Sequence, residues 1–213
     1  MSGIMLNVVG GTYGPAPLVI GDAYQGGFYA GQIGVSGVAT HNLVVGPVAS
    51  AQTTSIKWKN ANTATTGADS NIDGPQNTAD MVADGSSTVY PAAHFCNDVV
   101  TGGFSDWYMP ARNELDVCYY NLKPTTTSNN TSFGINANAV PERTSNYTAG
   151  TPAQTSATDF KDTGAEDFSA VNYWSSTEGS AAGAWKQNFD TGSQNNYTKT
   201  YSYHVRAVRR VAV

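Results

Sequence analysis

Three histidines and two cysteines are the side chains in this 213-residue sequence that most often act as nucleophiles, bases or metal ligands. His41, His94 and His204 are scattered, and none lies in an arrangement that resembles a catalytic triad. His94 lies two residues before Cys96, so a metal site of two cysteines and a histidine is conceivable. We favour the simpler interpretation that Cys96 and Cys118 are small buried residues on neighbouring helices. No phosphate-binding loop or dinucleotide fingerprint is present, and we expect a protein that is not an enzyme.

The segment from Asp69 to Asp80 has the spacing of a calcium-binding loop. Asp69, Asn71 and Asp73 match positions 1, 3 and 5 of a twelve-residue EF-hand loop, a glycine follows at position 6, and Asp80 falls at position 12. Against calcium, the usual glutamate at the last position is a shorter aspartate, and the flanks are not clearly helical. The alternative is a tight turn without metal, so calcium at these four side chains is the one cofactor that the sequence suggests.

Charged side chains are sparse, at 13% of the chain, against about 25% in typical soluble domains. The polar surface must therefore come from Ser, Thr, Asn, Gln, Gly and Tyr, which suits subunits held in assemblies and surfaces that recognise sugars or proteins. A net charge of −5 and a pI near 5.0 argue against nucleic-acid binding. No run approaches the roughly 18 apolar residues of a membrane span, and the N-terminus shows no signal peptide, so we expect neither membrane insertion nor secretion by that route.

The elements that must position these residues can be predicted in outline. Residues 24–33 and 38–48 form two strands around the turn-forming sequence GVSG, which indicates a hairpin. Residues 50–88 are rich in loop-forming residues around a short element at Ile56, Lys57 and Trp58. Two helices follow, one beginning near Pro91 and the other bounded by Pro110 and Pro124.

The second half of the sequence is dominated by loops and strands. Residues 125–165 form a long stretch rich in Thr, Asn and Ser, which we interpret as an elaborated loop with room for short strands. Three strands are then predicted at 171–177, 184–190 and 202–211.

Eight motifs in a fixed order give the chain a family resemblance. They include YPAAHFC, GGFSDWYMPARNEL, NYWSSTE and VRAVR, and together they span residues 20–213 apart from 125–165. They resemble a bacterial and phage domain family that includes the C-terminal domains of bacterial collagen-like adhesins and is similar to the variable proteins of diversity-generating retroelements. The resemblance implies an α+β chain with a C-type-lectin-like fold: an N-terminal hairpin joins C-terminal strands in a small antiparallel sheet, two helices pack on it, and long irregular loops cover the rest. The domain would span 21–213, with residues 1–20 as an N-terminal arm or docking strand.

The same resemblance implies where a ligand would bind. In the retroelement variable proteins, the diversified binding residues lie between the W-S-S-x-E block and the final strand, which corresponds to residues 180–203 here. Amides, phenol rings and hydroxyls are abundant in that interval and suit recognition at low entropic cost. The Glu-Pro-Asn motif of calcium-dependent lectins is absent, so calcium-bridged sugar binding is not expected. The candidate ligand-binding residues are Gln187, Asn188, Gln194, Asn195, Asn196, Tyr197, Lys199, Tyr201 and Tyr203.

Three arginines close to the C-terminus attract attention in a chain so poor in charge. Arg206 and Arg209 are three residues apart, so on one strand they would point to opposite faces. We expect one of them to be partly buried against a carboxylate or carbonyl and the other to be solvated. Arg210 would then be the arginine free to make an exposed contact.

These observations favour a phage virion protein, from a tail fibre or tail tip, that displays a lectin-like domain for host receptor binding. Its partners would be other virion proteins, through the N-terminal arm, and a glycan or protein of the host surface. A homo-oligomer is expected, with a trimer favoured. The alternatives are a capsid or tail decoration protein with a purely structural role, and a bacterial adhesin on the extracellular surface.

Overall fold

The computed structural model describes residues 17–213. The predicted N-terminal arm therefore lies outside the described residues up to residue 16. The chain combines α-helices with mainly antiparallel strands, which confirms the α+β class. The elements, in chain order, are β1 (Ala23–Tyr24), β2 (Gly27–Val35), β3 (Val38–Val45), α1 (Val48–Ala51), β4 (Gln52–Lys57), α2 (Gly74–Asp84), α3 (Pro91–Asn97), α4 (Arg112–Leu122), β5 (Ala139–Val140), β6 (Asn172–Ser180), β7 (Gly183–Asn188), β8 (Gln194–Thr198), β9 (Ser202–Arg206) and β10 (Val208–Ala212).

The first sheet has the order β1-β2-β3-β10. Strand β5 also pairs with β2, through Gln32 and Ile33. The predicted hairpin is confirmed by the antiparallel pairing of β2 with β3. Its register shifts near Gly31, which has a φ of +121°. A side chain at Gly31 would overlap Asn121 of α4, whose amide donates to the carbonyl of Ala30 at 2.7 Å. Glycine therefore allows α4 to pack directly on the hairpin.

The second sheet has the order β4-β9-β6-β7-β8 and carries the segment that was predicted to bind a ligand. Strands β6, β7 and β8 form an antiparallel meander, and β8 lies at its free edge. Strands β6 and β7 were predicted, whereas no strand was predicted at β8, whose residues, QNNYT, are almost all polar.

The two sheets are linked by the segment that was predicted to be one strand at 202–211. It consists of β9, which pairs with β4, and β10, which pairs with β3 in the other sheet. The break occurs at Ala207, whose amide donates to the carbonyl of Ala51 at 2.8 Å and whose carbonyl accepts the amide of Gly46 at 2.9 Å. These two bonds hold the chain where it passes from one sheet to the other.

Apolar side chains fill two clusters. One lies between the first sheet and α4 and includes Leu43 and Leu115, and the other surrounds Trp58, Trp107 and Trp174. Trp107 and Trp174, which lie in two of the family motifs, are both buried. Each cluster contains residues from both halves of the chain, so the core ties the N-terminal hairpin to the C-terminal strands.

Helices α3 and α4 confirm the two predicted helices, whereas α2 was predicted to be loop. Asp73 caps α2 by accepting the amide of Gln76 at 3.4 Å, and Pro75 lies in its first turn. Residues 125–165 are largely irregular, as predicted, with β5 and one 3₁₀ turn at Thr158–Phe160. No helix among residues 17–213 is both long and apolar enough to span a membrane.

Candidate functional site

The β7–β8 hairpin determines which of the candidate residues are accessible. In an antiparallel pair, residues opposite each other point to the same face of the sheet. Tyr197 lies opposite Ala184, and Asn195 lies opposite Lys186. Lys186 in turn lies opposite Trp174 of β6. Asn195 and Tyr197 therefore share one face with Trp174, and Asn196 projects from the other.

Three tyrosines pack against one another on that first face. The ring of Tyr197 lies 5.0 Å from that of Tyr201 in an edge-to-face contact, and 5.8 Å from that of Tyr203. Tyr203 packs on the buried Trp174, with ring centroids 4.8 Å apart. Tyr197 and Tyr201 remain 39% and 53% exposed. We call the surface formed by Asn195, Tyr197, Tyr201 and Tyr203 the tyrosine face.

The phenol of Tyr203 is held in its neutral form. Burial raises the pKa of Tyr203 to about 12, and the neighbouring Tyr197 and Tyr201 add to the shift. The hydroxyl of Tyr203 therefore remains uncharged well above the pH near 10 at which a free tyrosine ionises.

Asn196 lies on the opposite side of β8. Its amide donates to the hydroxyl of Ser180 at 3.2 Å. It helps to line a shallow depression of about 320 Å³ together with Gly183 and Thr198. Of the nine candidate residues, Asn195, Asn196, Tyr197 and Tyr201 are exposed and Tyr203 is half-buried.

Gln187 and Gln194 are buried, so the prediction that they contact a ligand is wrong for this structure. They lie opposite each other on the inner face of the hairpin, where the amide of Gln194 donates to the Gln187 carbonyl oxygen at 3.2 Å. Gln194 also accepts the Nε–H of Arg112 at 2.9 Å. The guanidinium of Arg112 stacks on Trp185 at 3.8 Å. The two glutamines therefore fasten the hairpin to the start of α4.

Asn188 has a structural role at the turn between β7 and β8. Its side-chain oxygen accepts the amides of Asp190 and Thr191 at 3.0 and 2.9 Å. An Asn side chain that bonds the backbone two or three residues on is a common way to close a turn. Asn188 is half-buried, and its accepting oxygen is used within the protein.

Lys199 has the least exposed side chain of the nine candidate residues. Its ammonium group is buried and forms an ion pair with Glu178. It also donates to the carbonyls of Thr63 and Ala181 at 2.8 and 3.0 Å. The prediction that Lys199 contacts a ligand is wrong in this structure because all of these bonds are internal.

The calcium interpretation of Asp69, Asn71, Asp73 and Asp80 is contradicted by the backbone. Residues 74–84 are helical, so the second half of the supposed loop is the helix α2. Asp73 and Asp80 are consequently about two helical turns apart. Asp80 accepts the side-chain amide of Gln76 at 2.8 Å. Within residues 17–213, no three His, Cys, Asp or Glu side chains are grouped so that they could hold a metal ion.

The C-terminal arginines are all used inside the protein. Arg206 is buried, donates to the carbonyl of Gly46 at 2.7 Å and forms an ion pair with Glu166 at 2.6 Å. Arg209 is also buried and forms a two-pronged pair with Asp106 at 2.7 and 2.8 Å. The expectation that one of these two is solvated is therefore wrong.

Arg210 is not the exposed arginine that was predicted. It donates to the buried carboxylate of Glu114 at 2.8 Å, and its guanidinium lies 3.6 Å from Asp73. Glu114 in turn accepts the amide of Ala111 at 2.8 Å, at the start of α4. This arginine therefore ties the last strand to two helix starts.

The two thiols are enclosed in different parts of the core. Cys96 and Cys118 are free and buried, and they belong to separate apolar clusters. Burial raises the pKa of both thiols. Neither thiol is therefore ready to act as a thiolate nucleophile at neutral pH.

Comparison with known families supports the relationship inferred from the motifs. The model of the Lcl C-terminal domain matches residues 48–209, which is more than half of the chain. No curated protein matches the chain. The match includes strands β4 to β9 and therefore every residue of the tyrosine face. The chain belongs to the Lcl C-terminal domain family.

Proposed function

We propose that this chain is a lectin-like recognition domain that binds a receptor on a host-cell surface through the tyrosine face. One observation carries the proposal: Tyr197 and Tyr201 are exposed, yet Tyr201 packs on Tyr197, Tyr197 packs on Tyr203, and Tyr203 rests on the buried Trp174. Exposed aromatic rings that are already ordered bind with a small loss of conformational entropy. Asn195 adds an adaptable amide beside them.

The fold that we propose is the C-type-lectin-like fold. It is supported by membership in the Lcl C-terminal domain family and by the sheet in which the N-terminal hairpin pairs with β10. A second sheet that presents an edge hairpin, together with the long irregular segment after α4, fits the same architecture.

We further propose that the domain is carried by a phage tail fibre or tail tip as a homo-oligomer, with a trimer as the leading form. Residues 1–20 would connect it to other virion proteins. The low content of charged residues supports a subunit that is held in an assembly. The proposal assigns the chain no catalytic step and no nucleic-acid or membrane partner.

Adsorption of the purified, fluorescently labelled chain to a panel of bacterial strains, measured by flow cytometry, tests the proposal. The variants Tyr197→Ala and Tyr201→Ala should each weaken adsorption to the recognised strain by about tenfold or more, as expected for aromatic residues at the centre of an interface. Val38→Ala is the matched control, because Val38 is also large and exposed but belongs to the other sheet.

Several outcomes distinguish the alternatives. Equal adsorption of all three variants would show that the tyrosine face is not the binding surface. Adsorption to no strain, together with incorporation of the chain into virus particles, would favour a structural decoration protein. Detection of the chain on the surface of the bacterium that encodes it would favour an adhesin.

A further inference from the structure

A second concave site lies between the end of α4 and residues 143–151. It is a pocket of about 260 Å³, and two aromatic residues, Tyr120 and Tyr147, contribute to its lining. Their rings are 6.3 Å apart and tilted by 32°. None of its lining residues belongs to the tyrosine face. Apart from Tyr120 of α4, its lining residues belong to the elaborated segment at 125–165, which the family motifs do not cover.

The inner wall of the pocket is fixed by a buried carboxylate. Asp116 accepts hydrogen bonds from the guanidinium of Arg143 and from the hydroxyl of Tyr147. It also accepts the side-chain amide of Asn136 at 2.7 Å. Arg143 is held further by the carbonyl of Gly134 at 3.1 Å. Every one of these groups is already in place before a ligand arrives.

The wall is also electrically balanced. The charge of Arg143 is neutralised by Asp116, and its guanidinium stacks on the ring of Tyr120 at 4.3 Å. No other charged side chain contributes to the lining. A site of this kind offers no unpaired charge to a carboxylate, sulfate or ammonium group.

The rim of the pocket carries polar groups with unused hydrogen-bonding capacity. Within residues 17–213, no hydrogen bond engages the side chains of Thr144, Ser145, Asn146 or Thr151. All four residues are exposed. Thr148 and Thr151 exchange two backbone bonds at 3.1 and 3.3 Å, which keeps this part of the rim in a tight turn. The rim therefore presents three hydroxyls and one amide around the half-buried ring of Tyr120, and the buried Tyr147 forms the floor behind it.

We propose that this pocket binds an uncharged sugar ring. A pyranose has an apolar face that can lie against the accessible part of the Tyr120 ring, and hydroxyl groups that can bond to the rim. The volume of about 260 Å³ falls just below the range of roughly 300–1,000 Å³ for drug-sized ligands, so it suits one ring rather than several. Calcium has no part in this site, because its lining residues include no carboxylate and Asp116 behind them is buried and already bonded to Arg143, Tyr147 and Asn136. The site does not rest on the proposed function of the tyrosine face.

Titration of the full chain with simple glycosides tests the proposal. The probes are methyl α-D-glucopyranoside, methyl β-D-galactopyranoside and methyl α-D-mannopyranoside, with sodium glucuronate as the charged comparison, all followed by saturation-transfer NMR. We expect at least one neutral glycoside to bind in the millimolar range, unaffected by EDTA and in preference to glucuronate.

Two variants fill the pocket without touching the core. Ser145→Trp and Asn146→Trp both alter exposed positions, and each should weaken binding of that glycoside by at least about tenfold. Far-UV circular dichroism checks that both variants are folded. Tyr201→Ala, on the tyrosine face, should leave the affinity within about twofold of the unchanged protein.

The proposal is overturned if none of the three glycosides binds at about 50 mM, or if glucuronate binds more tightly than all of them. It is also overturned if both tryptophan variants bind like the unchanged protein. Loss of sugar binding in Tyr201→Ala, with binding retained in the two tryptophan variants, would move the sugar to the tyrosine face and would likewise overturn it.

Discussion

Replacing Lys199 with methionine should destabilise the protein even though the residue lies in a polar, surface-like stretch of sequence. The Lys199 side chain is 0% exposed and forms an ion pair with Glu178. It also donates to two backbone carbonyls, at 2.8 and 3.0 Å, and its ammonium lies 4.8 Å from the ring of Trp58. Lys199→Met fills much of the same space but removes every one of these polar contacts.

Two estimates of the cost agree. Removing one member of a buried ion pair costs roughly 3–5 kcal/mol, because the other charge is left uncompensated. Glu178 is 11% exposed and keeps the backbone amide of Thr65 at 3.1 Å, which places the cost at the lower end. Counting three lost hydrogen bonds at about 1 kcal/mol each also gives about 3 kcal/mol. The double variant Glu178→Gln/Lys199→Met removes both charges of this ion pair and should recover about 1 kcal/mol or more.

Urea denaturation at pH 7, followed by tryptophan fluorescence, measures these differences. Lys186→Met is the matched control, because Lys186 is half-buried but makes one side-chain hydrogen bond, to Asn172 at 2.8 Å. Its loss should cost about 1 kcal/mol or less. Equal costs for the two lysine variants would refute the structural role of Lys199. Loss of cell adsorption in Lys199→Met at unchanged stability would instead restore Lys199 as a ligand contact.

Three further predictions concern pH, the arginine strand and calcium. Burial raises the pKa of Tyr90, Tyr173 and Tyr203 to about 12, whereas tyrosines in the unfolded chain ionise near 10. The free energy of unfolding should therefore fall as the pH rises from 10 to 12. A flat profile in urea titrations over this range would contradict the prediction. Arg206→Lys should lower the free energy of unfolding by about 2 kcal/mol or more in the same assay. A lysine cannot reproduce the hydrogen bonds to Gly46 and to both the carbonyl and the carboxylate of Glu166. An unchanged free energy of unfolding would show that these bonds are dispensable. Millimolar calcium should shift the melting temperature by less than about 1 °C in a thermal scan, and a larger rise would show a site that stabilises the folded state.

The parts of the fold with local signals could be predicted from the sequence. The β2–β3 hairpin has two segments rich in aromatic and aliphatic residues on either side of the turn-forming sequence GVSG, and α4 lies between two prolines. Helix α2 was missed although Asp73 and Pro75 mark its start. Its inner face includes Asn77, a polar residue that is buried because its amide bonds to Ser70 and Ser176. Composition alone cannot indicate burial that depends on a partner about a hundred residues away.

The candidate site shows the same limit. Asn195, Tyr197 and Tyr201 were predicted to be exposed and are exposed. Lys199 follows β8 in the same polar segment, but it is buried because its ammonium group pairs with Glu178 of β6. Arg210 was expected to be exposed, but its guanidinium forms an ion pair with the buried carboxylate of Glu114 on α4. The pattern of residue types identified the segment, whereas the pairing of charges distant in sequence decided which of its members face solvent.

The passage of the chain at Ala207 from one sheet to the other has a consequence for how the protein folds. Strand β9 pairs with β4 and β10 pairs with β3, so each sheet closes only when residues about 150 to 170 positions apart have met. Such a high contact order slows folding, because the entropy of a long loop must be lost before the contacts that reward it can form. During synthesis, neither sheet can be completed before residues 202–212 have emerged from the ribosome. Tyr203 of the tyrosine face lies on β9, so this surface becomes complete only once β9 has paired with β4.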